Sequence, residues 1–437
     1  MRGLYTLLLY LALPWLPLRL WWRGRHEPAY RQRIGERYGR YAGPVKPPVL
    51  WLHAVSLGET RAVVPLVDRL HRAYPDATVL ITHMTATGRD AGRALFGDRV
   101  LQAWLPYDAP FAVRAFLTHF KPRAGLIMET ELWPNLVALA HDAAIPLYLV
   151  NARMSERSAA GYARVPALSR PMLAAFAGIA AQTKDDAKRL AALGAPIAVV
   201  TGNLKFDAIV PDAGVLLGRE LRQRFGEARP TWVAGATRDG EEALILDALA
   251  AQQLPPNSLT VIVPRHPQRF AAVAEILRQR AIPFVRRSSN TPVPADTSVV
   301  LGDSMGEMPG YFAAADVVFV GGSLLPLGGH NLIEPIAVGR PTLVGPHMFN
   351  FADATENAVA AGAAIQIANS GALIAEVSAL FGDAPRRLAM HNAALAFHAA
   401  HQGATDRLWT WLAPRVAEAM DSRGASGRRN ISPSTAG

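Results

Sequence analysis

The stretch VVFVGGSLLPLGGHNLIEPIAVGRPTLVGPHMFNF, Val317 to Phe351, reads as a strand, a loop, a short helix and a second strand. The apolar run Val317 to Val320 has the length of a buried parallel strand. Gly321-Gly322-Ser323 and Gly328-Gly329 follow, and glycine lets backbone come close to a phosphate. Pro335 suits the first turn of a helix, which places Glu334 at its edge with both oxygens free to accept from sugar hydroxyls. Gly339 ends that helix, and Arg340-Pro341 leads into a strand at Thr342 to Val344. A plain α/β turn would explain the glycines alone. Gly-Gly together with Asn331, Glu334 and the GPHMFNF string from Gly345 favours a nucleotide site.

The same grammar repeats outward. Apolar runs expected as strands are Val49 to Ala54, Thr78 to Thr82, Gly125 to Met128, Leu147 to Val150, Ile179 to Gln182 and Val199 to Thr201. A second series comprises Thr231 to Ala234, Leu259 to Val263, Ser298 to Leu301 and the two strands of the opening stretch. Each precedes a loop and a helix-like segment, the signature of parallel sheets with crossover helices. At 437 residues, half of them apolar, the chain is long enough for two such domains. The predicted organisation is a hydrophobic N-terminal segment over 1–24, doubly wound domains over 25–212 and 213–404, and a last helix over 405–420 able to return to the first domain. A polar tail over 421–437 is expected to be disordered. The joint falls near Val210 to Val215, where PDAG interrupts the pattern.

There are no cysteines, which excludes disulfides, a thiol nucleophile and cysteine-ligated metal. A formal charge of +10 points to acidic partners. Gly3 to Leu18 carries no charge, and Trp21-Trp22 is followed by Arg23, Arg25, Arg31, Arg33, Arg37 and Arg40. Apolar length, an aromatic belt and a basic flank predict a membrane anchor, spanning or interfacial, with the body on the cytoplasmic side. Pro14 and Pro17 should kink it. The alternative is a hydrophobic helix packed on the body.

Ligands of such sheets bind beyond the carboxyl ends of the strands, and the motifs stand there. In HAVSLGET from His53, Glu59 falls at the start of a helix running to about Leu70. The helix macrodipole should hold it ionised, which suits a general base. METELWPN from Met128 offers Glu129 and Glu131, which two-residue spacing points in different directions. NARMSERSAAGY from Asn151 and GNLKFD from Gly202 supply Arg153, Ser155, Arg157 and Lys205, cations suited to an anionic donor. In VPRHPQRF, Arg265 follows Pro264 at a strand end and could grip a phosphate or base carbonyl, while His266 reads as a structural hydrogen-bonder. The Gly306-Glu307-Met308 turn offers backbone groups to a nucleobase edge. No P-loop, dinucleotide fingerprint, paired aspartates or metal-spaced histidines occur, so neither a metal nor a cofactor is expected.

On these strings, together with LYTLLLYLALP, RGRHEPAYRQRIGERYG, MGEM, VGGSL and GGHNLIEP, the chain closely resembles the 3-deoxy-D-manno-octulosonic acid (Kdo) transferases of lipopolysaccharide assembly. The resemblance implies a GT-B glycosyltransferase fold, an acceptor domain and a CMP-sugar domain facing a cleft. It also implies metal-independent, inverting transfer of Kdo from CMP-Kdo to the tetra-acylated lipid A precursor at the inner membrane. By that likeness Glu59 is the base, and Glu129 and Lys205 stabilise the transition state. Pro264, Arg265, Gly306, Glu307, Met308, Asn331, Leu332, Ile333 and Glu334 correspond to the CMP-binding elements. The competing readings are a UDP-sugar transferase or epimerase of the same fold, and a membrane-tethered basic binding protein. Basic residues are spread along the chain without an aromatic-interleaved motif, so no nucleic acid is expected as partner.

Overall fold

The structure, a computed structural model, describes residues 1–25, 27–196, 198–208 and 212–421. Part of the expected joint, Val210 and Pro211, and the tail from Ser422 lie outside these residues. The chain forms two compact units, one comprising Met1–Ala208 with the C-terminal stretch from Gln402, the other Ile209–His401.

In the first unit, strands β1 (Val49–His53), β2 (Thr78–His83), β3 (Leu101–Trp104), β4 (Pro122–Met128), β5 (Leu147–Ala152), β6 (Gly178–Ala181) and β7 (Ala198–Val200) form one sheet. Their order is β3-β2-β1-β4-β5-β6-β7, parallel throughout. In the second, β8 (Thr231–Thr237), β9 (Leu259–Pro264), β10 (Phe284–Arg286), β11 (Val299–Leu301), β12 (Val317–Val320), β13 (Thr342–Val344) and β14 (Ala364–Gln366) order as β10-β11-β9-β8-β12-β13-β14, again parallel. The doubly wound expectation holds in both units, and β12 and β13 span the residues predicted for them. Three strands were not predicted: β3, β10 and β14. Each lies at a sheet edge, where one-sided pairing asks for no long apolar run, and their sequences LQAW, FVR and AIQ show none.

Central strands are covered on both faces, which explains their continuous hydrophobicity; all five residues of β1 are buried. Both cores repeat one device. The indole of buried Trp51 donates to Thr82 Oγ1 on the neighbouring strand at 2.8 Å, and that of Trp232 donates to Thr260 Oγ1 at 2.9 Å. A large ring is buried without orphaning its N–H. The last helix, Ala404–Asp421, packs Leu408, Leu412 and Val416 against Leu50, Leu52 and Leu66 of the first unit. Asp207 fixes its start by accepting from Gly403 N at 2.7 Å and Thr405 N at 2.5 Å.

The single helix expected from Glu59 to Leu70 is instead two, Leu57–Ala62 and Val64–Ala73. Pro65 has no N–H to return to Arg61, so the ladder breaks there. At the N-terminus, Arg2–Ala12 and Leu16–Arg23 are joined by a 3-10 turn at Leu13–Trp15, where Pro14 and Pro17 interrupt the ladder.

Candidate active site

A parallel sheet whose strand order reverses leaves a crevice beyond the carboxyl ends of the strands flanking the reversal. In the first unit that point lies between β1 and β4, and in the second between β8 and β12. Glu59 follows β1 and Glu129 follows β4, so the first sheet delivers both carboxylates to its own switch point.

Glu59 sits in the first turn of a helix and reaches back to the loop before it. Ser56 caps the helix Leu57–Ala62, and its hydroxyl donates to Glu59 Oε1 at 2.8 Å while Val55 N donates to Oε2 at 2.8 Å. The expectation that the helix start holds this group ionised is corrected here. Burial and, next, the negative charge of Glu129 push its pKa up to about 7. The Val55 and Ser56 bonds and the Lys205 ammonium act the other way and do not overcome them.

Glu129 adopts a left-handed backbone, φ 56°, which costs a residue with a Cβ about 1–2 kcal/mol. Its N–H is tied to Val150 O of β5 at 3.1 Å, and its carboxylate lies 2.6 Å from Lys205 Nζ. Lys205 rides on the turn Leu204–Asp207, which packs against the helix of Glu59. Two asparagines shape that turn: Asn203 Oδ1 accepts from Lys205 N at 3.0 Å, and buried Asn151 Oδ1, at the end of β5, accepts from Leu204 N at 2.9 Å. Glu59, Glu129 and Lys205, separated by up to 146 positions in sequence, thus form one electrostatic group.

The neighbouring motif residues have other work. Glu131 accepts from Trp133 Nε1 at 2.9 Å and lies 3.9 Å from Nε2 of buried His53, so the two glutamates of METE do diverge. Ser155, expected to face an anion, caps the helix Glu156–Ala163 by accepting from Ser158 N at 3.2 Å, and Arg157 is exposed on that helix. Thr130 Oγ1 donates to Arg153 O at 2.8 Å, locking the loops after β4 and β5 together.

In the second unit several backbone N–H groups of the opening stretch are engaged within the protein. Gly321 N donates to Gly235 O, Gly329 N to Gly322 O and His330 N to Gly321 O. Gly322, Ser323 and Leu324 donate to the carboxylate of Glu241 at 2.6, 2.9 and 2.9 Å. The glycines also serve close packing: a Cβ on Gly329 would meet Met348 Sδ at 2.1 Å, and one on Gly345 would meet Ser323 O at 2.3 Å. The GPHMFNF loop is thereby folded onto the Gly-Gly loops.

Cationic and imidazole groups gather at this edge. Arg265 follows β9, its N–H tied to Thr237 O at 2.9 Å, and Arg238 follows β8. Burial first, then Arg265, Arg238 and His266, push His330 down to about 3; burial and the same two arginines lower His266. Both rings are therefore neutral at pH 7, and buried Nε2 of His330 has no hydrogen-bond partner among the described residues. Asn331 Oδ1 accepts from Ile333 N at 3.1 Å and its Nδ2 donates to Glu334 Oε1 at 3.3 Å, so the Glu334 carboxylate is already engaged within the loop. Leu332 and Ile333 bury their side chains and have only backbone to offer. Gly306 is left-handed, φ 79°, with open space beside it. Arg287 and Ser304 hold the Glu307 carboxylate at 3.0 and 2.6 Å, and Met308 opens the helix Met308–Ala314. Pro264 closes β9 and is buried.

Sequence reasoning passed over Asn151, Arg238, Glu241 and His330 as functional candidates. Arg238 carried a usable signal, since it follows β8 as the Glu59 loop follows β1. Among the described residues no group of three or more His, Asp or Glu side chains is placed to hold a metal ion.

The family model described as 3-Deoxy-D-manno-octulosonic-acid transferase (kdotransferase) matches residues 32–208. The 3-deoxy-D-manno-octulosonic acid transferase of Bordetella pertussis is 43% identical to the chain over 431 residues, covering 94% of this chain and 99% of its own length. That of Haemophilus influenzae is 38% identical over 421 residues, covering 94% and 98%. Among solved structures, the UDP-GlcNAc 2-epimerase of Neisseria meningitidis bound to UDP-GlcNAc is similar with a TM-score of 0.57 at 16% identity, covering 83% of this chain and 99% of its own. That likeness bears on the fold alone, which is of the GT-B type.

Proposed function

Because this chain belongs to the 3-deoxy-D-manno-octulosonic acid (Kdo) transferases, which are glycosyltransferases, we propose that it moves Kdo from CMP-Kdo to the tetra-acylated lipid A precursor, with inversion at the anomeric carbon and without a metal. The observation that carries the mechanism is the Glu59 carboxyl, pushed up to about 7 beside Glu129 and Lys205. A base that titrates near the working pH is half ionised there and still basic enough to take a proton.

In the proposed step the acceptor hydroxyl gives its proton to Glu59 as its oxygen bonds to the anomeric carbon. The bond from that carbon to the phosphate oxygen breaks, and CMP leaves with the electron pair. Attack opposite the leaving group inverts the centre. Positive charge developing at the anomeric carbon is favoured by the Glu129 carboxylate, and the Lys205 ammonium offsets the donor's negative charge. In the second unit Pro264-Arg265 and Gly306-Glu307-Met308 take the phosphate and base. Asn331 to Glu334 take the ribose, Leu332 and Ile333 through their backbone. Arg238 and neutral His330 join this set as further phosphate neighbours.

The helical segment Arg2–Arg23 is long and apolar enough to cross a membrane by length and composition. Its faces favour an in-plane anchor on the cytoplasmic side of the inner membrane. Leu13 and Leu20 are buried against the first unit, and Thr6 Oγ1 reaches Asn135 Oδ1 at 3.1 Å. Leu4, Leu7, Leu8, Leu11, Trp15, Leu18 and Trp22, at helical spacing, are exposed. An apolar outer face with arginines at its end fits the interfacial layer of an anionic bilayer.

The chemical test is transfer by purified protein from CMP-Kdo to the lipid A precursor in the presence of EDTA. A Kdo-bearing lipid of inverted configuration is expected, and consumption of UDP-sugars alone would refute the donor assignment. The anchor test uses the absence of native cysteine. Spin labels at Leu4→Cys, Leu11→Cys and Leu18→Cys should report equal immersion depth in vesicles. A spanning helix would separate the outer two by about 21 Å.

A further inference from the structure

Glu241 is a fully buried carboxylate for which the proposed reaction has no use. It stands in the first turn of the helix Glu241–Ala251, just after β8. Its Oε2 accepts from Gly322 N at 2.6 Å and Arg238 N at 2.9 Å, and its Oε1 from Ser323 N and Leu324 N, both at 2.9 Å. Successive backbone N–H groups converging around a left-handed Gly322, φ 71°, make an anion nest of the kind that elsewhere holds a phosphate. Here the chain fills the nest with its own carboxylate, and all four acceptor positions of that carboxylate are used.

The position of this internal anion is informative. The loop carrying Gly322 follows β12, the loop carrying Arg238 follows β8, and those two strands flank the switch point of the second sheet. Glu241 pins the two loops to each other. Gly322 in turn backs the His330 ring, since a Cβ there would come within 3.0 Å of it. We infer that Glu241 is a positioning residue: a built-in anion that clamps the loops after β8 and β12 and so sets Arg238 and His330 toward the phosphate of the donor nucleotide. The ligand in this inference rests on the CMP-site assignment above, whereas the clamp does not.

The test is Glu241→Ala in the full chain, read by CMP affinity, donor KM and kcat, and thermal melting, with and without millimolar formate as a small carboxylate to refill the nest. CMP affinity is expected to fall roughly tenfold or more, the scale of a lost set of buried charge-assisted hydrogen bonds. Donor KM should rise more than kcat falls, and formate should restore both affinity and melting temperature in the variant while leaving the parent unchanged. Glu241→Gln, which turns an NH2 toward N–H donors, should lose affinity without formate rescue. If Glu241→Ala does not fold, Glu241→Asp keeps the charge and should show an intermediate loss of CMP affinity. Parent-like CMP affinity in every folded variant, or losses untouched by formate in Glu241→Ala, would overturn the inference. If formate restores melting but the parent itself binds no CMP, the clamp stands, and the donor assignment and the positioning role fall together.

Discussion

Glu59 and Glu241 occupy matching places: each follows the first strand of its sheet and sits in the first turn of the next helix. Both are buried, yet their surroundings differ in kind. Glu241 receives four backbone N–H groups, so its charge is fully matched by fixed dipoles. Glu59 receives one backbone N–H and one hydroxyl, and it faces a second carboxylate, Glu129, with Lys205 beside them. Burial alone therefore does not mark a reactive carboxylate. What marks Glu59 is the shortfall of donors combined with a like charge, which raises its pKa into the range where it can exchange a proton at neutral pH.

The sharpest way to break that contrast is Glu59→Gln. Transfer should fall by about 10³-fold, while CMP affinity stays within about twofold because the proposed nucleotide site belongs to the other unit. Loss of CMP binding in that variant would count against the base assignment. Lys205→Ala comes next, with single-turnover transfer reduced by about 10²-fold as the fixed cation is removed. A parent-like rate would place Lys205 outside the chemistry.

How far the sequence discloses this contrast depends on where each partner lies along the chain. Glu59, Glu129 and Lys205 are visible because each stands in the loop or turn that follows an apolar run, and parallel strands bring such positions to one edge. The occupant of the Gly-Gly nest goes unseen because Glu241 stands 81 positions before Gly322 and no local pattern links them. The ionisation of Glu59 is misread for a related reason. A helix start is a local signal, whereas the burial and the Glu129 charge that outweigh it come from tertiary packing. Edge strands β3, β10 and β14 escape because half-paired strands need little hydrophobicity, and Pro65 breaks a helix that amphipathic spacing would have continued. The family strings make up for these gaps in naming the reaction, but not in showing which N–H groups are already taken.

A smaller effect tests the electrostatics without any substrate. The folded pKa of Glu59, about 7, lies above the ordinary glutamate value of 4.5, so the fold favours the protonated form. That stability is fully present below the unfolded value and is lost as pH rises through the folded one. Glutamine mimics the neutral acid. Glu59→Gln should therefore melt about 2–4 °C above the parent at pH 8 and level with it at pH 4.5. Equal melting at both pH values would mean that the carboxyl is not held against ionisation.

The most direct measurement of the central claim is the pH dependence of single-turnover transfer in the parent and in Glu129→Gln. The parent rate should rise with a midpoint near 7, following ionisation of Glu59. Removing the Glu129 charge should move that midpoint down by about one pH unit or more, as expected when a like charge is withdrawn from beside a carboxyl. A midpoint that does not move on the substitution, or a parent midpoint in the ordinary carboxylate range, would contradict the assignment of Glu59 as a base tuned by its neighbour.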